Sequence, residues 1–134
     1  MGLAEKRKIK EFQDNYYEKL KKDIDTAAGF PVNIEVRWDS LAKDGYEDLL
    51  IEATRKIYFT TLKNVFLEIC QDDLGREAAQ ESLKKIVIDG SHGSSAGSCK
   101  FESGTLYFNH ENCTNMDYTH ELVKGLVQLI SSKL

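Results

Sequence analysis

The chain has 134 residues, of which 41% are hydrophobic and 30% charged, with a net charge of −4. That length suits a single domain that folds without metal or disulfide staples, and that mixture excludes a disordered chain. The acidic balance argues against nucleic acid or an anionic membrane as partner, and no apolar run reaches the length of a membrane span.

From Ala4 to Ala28 apolar residues fall at Ile9, Phe12, Tyr16, Leu20, Ile24 and Ala27, steps of three and four that line one face of a helix. Its basic cluster, Lys6-Arg7-Lys8 with Lys10, is followed by Glu11, Asp14 and Glu18 and reads as a solvated face. Gly29 can end the helix in a left-handed conformation, and Pro31 prevents its continuation. Val32, Ile34, Val36 and Trp38 then alternate with Asn33, Glu35, Arg37 and Asp39, the period of a strand with one buried face. Helical spacing returns over residues 40–71, as one helix or two. Within it, the run Ile57-Tyr58-Phe59-Thr60-Thr61 is rich in strand formers and marks a place for a break or a short strand. Asp72 or Asp73 is placed to cap a further helix carrying Leu74, Ala78, Ala79 and Leu83.

Ile86-Val87-Ile88 predicts a second strand. The following segment, Gly90 to Ser98, is the only low-complexity stretch and predicts a flexible connection. It lacks the Lys-Ser/Thr ending of a phosphate-binding loop, and a strand follows it instead of a helix. Cys99 to His110 predicts a β-hairpin about Ser103-Gly104, with Phe101 opposite Leu106 and Cys99 opposite Phe108. The last helix, capped by Thr114 or Asn115 with Asp117 completing a capping box, carries Leu122, Leu126, Ile130 and Leu134. Val123, Val127 and Leu129 widen that stripe, which predicts packing on two sides or against a second copy. No internal repeat or boundary divides the chain. The expected fold is one α+β domain over residues 1–134, with element order α-β-α-α-β-β-β-α. A mostly antiparallel sheet of about four strands should carry helices on one face.

Few positions can carry polar chemistry. Cys99, His110, Cys113 and His120 supply soft ligands that could hold zinc, although no Cys-x-x-Cys pair is present and no two of these residues lie four apart on one helix. Cys113 with His120 or His110 is the candidate nucleophile and base. The plainer account of the same residues is a buried cysteine and a surface histidine with packing roles only. The outer sheet face, with Glu35, Arg37, Lys100, Tyr107 and Asn109, is a candidate binding platform or simply a solvated surface. Three cysteines, Cys70, Cys99 and Cys113, form no disulfide framework, and no cofactor motif is found. The N-terminal residues lack a signal-peptide pattern, so a cytoplasmic protein is expected, while the final Ser132-Lys133-Leu134 matches the peroxisomal import tripeptide. Together these features predict a non-enzymatic binding or adaptor domain working through protein–protein contacts, with a homodimer through the last helix as its most concrete form. A small enzyme or zinc-binding protein using the Cys/His set is the alternative.

Overall fold

Residues 2–134 are described by a computed structural model. The N-terminal helix runs through α1 (Leu3–Phe12), a π turn over Gln13–Tyr17 and α2 (Glu18–Ala28). The wider turn shifts the phase of the apolar stripe. Ile9, Phe12, Ile24 and Ala28 are buried, and Tyr17 packs on the core where the spacing predicted Tyr16. The Tyr17 ring meets Trp38 at 5.1 Å and Phe59 at 5.7 Å, both edge-on. Gly29 ends the helix at φ 84°, as the sequence predicts.

Strand β1 (Ile34–Val36) is shorter than the alternation suggests. At its start the Val32 amide donates to the Asp25 carboxylate at 2.8 Å, and after it the chain turns into a 3-10 helix over Trp38–Leu41. A central helix follows as α3 (Leu50–Thr54), a second π turn over Arg55–Thr60 and α4 (Thr61–Ile69). The strand-forming run therefore neither breaks the helix nor pairs in the sheet. Ile57, Tyr58, Phe59 and Leu62 are all fully buried. Burying one such side chain is worth about 1.5–3 kcal/mol, more than the roughly 0.7 kcal/mol by which helix propensities differ. Helix α5 (Asp73–Ser82) is capped by Asp72, whose carboxylate accepts the Gly75 amide at 2.8 Å.

Strands β2 (Lys85–Asp89), β3 (Lys100–Glu102) and β4 (Thr105–Asn109) join β1 in one sheet of order β1-β2-β4-β3. β1 pairs with β2 and β2 with β4 in parallel, and only β3 and β4 are antiparallel. The sheet is thus mixed and mostly parallel, which corrects the mostly antiparallel arrangement expected from the sequence. The hairpin itself has the predicted register, Phe101 facing Leu106, about a turn with positive φ at both Ser103 and Gly104. What the sequence reading missed is which arm meets β2. β4 buries Leu106 and Phe108 and takes the interior position, whereas β3, with Lys100 and Glu102 exposed, lies at the edge, where charge discourages further pairing.

Ile86, Ile88, Phe101, Leu106 and Phe108 join the helices in one core, while Val87 points to the other face of the sheet. Helix α6 (Thr119–Ser131) begins later than predicted, and no side chain caps it. Cys113 and Asn115 instead take left-handed conformations, φ 64° and 51°, that keep the approach to α6 out of a helix. Leu122, Leu126 and Ile130 are buried, and Val123, Val127 and Leu129 pack partly against this chain's own core. Leu134 does not complete the stripe and is 41% exposed. No helix among the described residues is long and apolar enough to cross a membrane.

Candidate functional site at the ends of the parallel strands

Because β1, β2 and β4 are parallel, their carboxyl ends share one edge of the sheet. In open α/β sheets the crevice beside that edge is the usual place for a ligand. The connection from β2 to the edge strand β3 must pass over the end of β4, and it is tied there instead of floating. The Glu111 amide donates to the Gly93 carbonyl at 2.8 Å and the Asn112 amide to the Gly90 carbonyl at 3.1 Å. The Ser98 hydroxyl donates to the Asn109 carbonyl at 2.6 Å, and the Asn109 amide group returns a bond to the Ser98 carbonyl at 3.1 Å. Gly93 makes the close crossing possible. Its φ is 95°, and a Cβ there would stand 2.6 Å from the Asn109 carbonyl oxygen. The Gly/Ser segment predicted to be a flexible connection is a pinned strap.

Between this strap and α6 lies a cleft of about 550 Å³. Ser94 to Gly97 form one wall, Tyr118, Glu121 and Leu122 the other, with Asn115 and His110 completing the lining. The walls are fixed to each other. The Asn115 side chain donates to the Ser94 carbonyl at 3.1 Å, and a Cβ on Gly125 would overlap the Ala96 methyl, so α6 lies directly against the short 3-10 turn Ala96–Ser98. The concavity is bounded by two mutually fixed walls and offers a few convergent polar groups.

His110 is only 2% exposed. Its amide continues the sheet by donating to the Asp89 carbonyl at 3.1 Å, and its own carbonyl accepts the buried Tyr58 hydroxyl. The ring Nδ1 lies 3.0 Å from the Glu111 carbonyl. Burial lowers the imidazole pKa below its ordinary value, an effect that the neighbouring Ser94 carbonyl opposes. Next to it, Asn112 is fully buried and bridges distant parts of the chain, donating to the Leu41 carbonyl at 2.9 Å and the Thr54 hydroxyl at 3.0 Å. On the rim, Tyr118 is 64% exposed, and Glu121 is the only fully charged side chain among the lining residues.

The Cys/His set is not assembled as a ligand group. Among the described residues no three His, Cys, Asp or Glu side chains stand close enough to share a metal ion. Cys99 is buried, its thiol 3.5 Å from the Asn109 carbonyl, and burial pushes its pKa up to about 11. Burial likewise raises Cys113, against the pull of Lys43. Neither thiol therefore has the lowered pKa of an activated nucleophile. His120 lies on the exposed side of α6, 3.5 Å from the Glu121 carboxylate. Of the predicted set, only His110 reaches the cleft.

The outer-face residues do share one side of the sheet. Glu35, Val87, Tyr107 and Lys100 lie in one row across the four strands. Most of their polar groups are already engaged. Arg37 binds the Asp89 carboxylate at 2.9 Å, Asn109 holds the strap, and Glu35 pairs with Lys85 at 2.9 Å, which lowers its pKa. Asp89 is also held below the usual carboxylate range. Burial opposes its charge, but the Ser91 hydroxyl and amide and the Arg37 guanidinium outweigh it. The Arg37–Asp89, Asp89–Ser91 and Asn109–Ser98 contacts lie at the carboxyl ends of the strands, beside the cleft. Sequence reasoning missed Ser94, Asn115, Tyr118 and Glu121 as site residues, and its only pointers were the Gly/Ser run and His110.

No family model matches this chain, and neither does any curated protein or solved structure.

Proposed function

We propose that this chain is a non-enzymatic binding domain, an adaptor that seats a hydrogen-bonding group of its partner in the cleft above His110. The observation that carries this reading is that the two walls of the cleft are tied to each other. They come from separate parts of the chain and are held to each other by the Gly125–Ala96 contact and the Asn115–Ser94 hydrogen bond, so little ordering entropy remains to oppose binding. The raised pKa values of Cys99 and Cys113 favour binding over thiol catalysis.

The test is a small-fragment screen followed through the backbone amide signals of the ¹⁵N-labelled chain. Fragments that bind should move the signals of residues 94–97, 110 and 118–122. The exposed substitutions Tyr118→Ala and Glu121→Gln should weaken those fragments while leaving the rest of the spectrum in place. Shifts that avoid the cleft, or binding indifferent to both substitutions, would remove this reading. Turnover of an ester or peptide fragment in the same samples would favour the enzyme alternative.

A further inference from the structure

A second concavity lies where the end of α4 and the start of α5 meet the end of α6. It encloses about 500 Å³ and draws its apolar lining from Ile69, Leu74, Ala78, Val127 and Leu134. Leu74 is the unusual member. It sits in the first turn of α5 and is 79% exposed, although the sequence pattern places it on a buried helix face. A leucine left this open beside an apolar groove is a contact that a partner's apolar side chain can fill.

The charged side chains that line the groove are of one sign. Glu68 and Asp72 line it, and no Lys or Arg does. Arg76, the basic side chain of α5, is turned to Asp73 at 3.0 Å. Asp72 spends one oxygen on capping α5, and Glu68 stands on the exposed side of α4.

From this pairing of an apolar floor with an acidic rim, we infer that the α4–α5–α6 groove docks a basic amphipathic helix of a partner protein, one that presents a leucine-type side chain flanked by lysine or arginine. The apolar side chain enters between Leu74 and Val127, and the basic flanks meet Glu68 and Asp72. This is the helix-in-groove mode of recognition, with apolar anchors supplying affinity and rim charges setting the partner's sign. The groove is independent of the cleft above His110, and one site can stand if the other falls.

The test uses two synthetic helical peptides with the same leucine face, one with a lysine polar face and one with glutamate, titrated into the ¹⁵N-labelled full chain. The lysine peptide should move the amide signals of residues 68–78 and 127–134, and the glutamate peptide should not. Leu74→Ser, which removes a side chain that the fold does not bury, should weaken the lysine peptide about tenfold. Glu68→Lys should weaken it as well and admit the glutamate peptide. Equal binding of both peptides, shifts elsewhere, or no binding of either would overturn the inference. So would dilution shifts of the same amides without peptide, which would make a second copy of this chain the occupant.

Discussion

His110 sits where burial and hydrogen bonding act against each other, and burial wins. The folded protein therefore holds this imidazole neutral at pH values where the unfolded chain would begin to protonate it. Its folded pKa is depressed below 6.5, so the unfolded state binds more protons as the pH falls below that value, and acidification costs stability. The loss begins near the unfolded pKa and levels off once the pH has passed below the folded one. Asp89 acts in the same direction at lower pH. Its pKa is depressed from 3.8, and the stability it contributes above that value is lost as the pH falls through the folded one. A pH titration followed by the His110 ring proton signals should give a midpoint below 6.5, and urea midpoints should fall between neutral and mildly acidic pH. A midpoint above 6.5 would mean that the two carbonyls beside the ring outweigh its burial. At this scale the sequence is legible only in part. Alternation along the hairpin placed His110 on the core side and Asn109 on the outer side. The roles of Asn112 and Asn115 could not be read in advance, because their partners at Leu41, Thr54 and Ser94 are brought to them only by the folded chain.

Among the elements, the contact between α6 and the strap is the most sensitive. In an exposed helix, Gly→Ala is worth about 1 kcal/mol of added stability. At Gly125 the new methyl would overlap that of Ala96, and both belong to elements already fixed on the core. Overpacking of this kind costs about 1–3 kcal/mol, so Gly125→Ala should lower the thermal midpoint and shift the amide signals of residues 94–98. A higher midpoint with an unchanged strap would show that the contact is looser than described. Element types were largely readable from periodicity and end signals: the first helix with its Gly29 stop, the Asp72 cap and the hairpin register all follow from local residues. The α6 cap was not, since Asn115 is drawn to Ser94 and away from the helix. Nor was the continuity of the central helix, where complete burial of Ile57, Tyr58 and Phe59 overrides their local preference.

For the molecule as a whole, the decisive feature is the placement of β4 between β2 and β3. Local pattern could not supply it, because a hairpin looks the same whichever arm meets the rest of the sheet. That choice aligns three strand ends and sends the Gly/Ser segment across them, which creates the cleft. An antiparallel meander would have run the segment as a free loop beside the sheet and left His110 without a roof. The account therefore depends on the strap being part of the folded structure before any partner arrives. Amide hydrogen exchange of the free protein measures this directly. The Glu111 and Asn112 amides, bonded to the Gly93 and Gly90 carbonyls, should be protected to a degree similar to the amides joining β2 and β4. Exchange of these two at the rate of an open loop, with the sheet still protected, would contradict a preformed cleft and the binding function built on it.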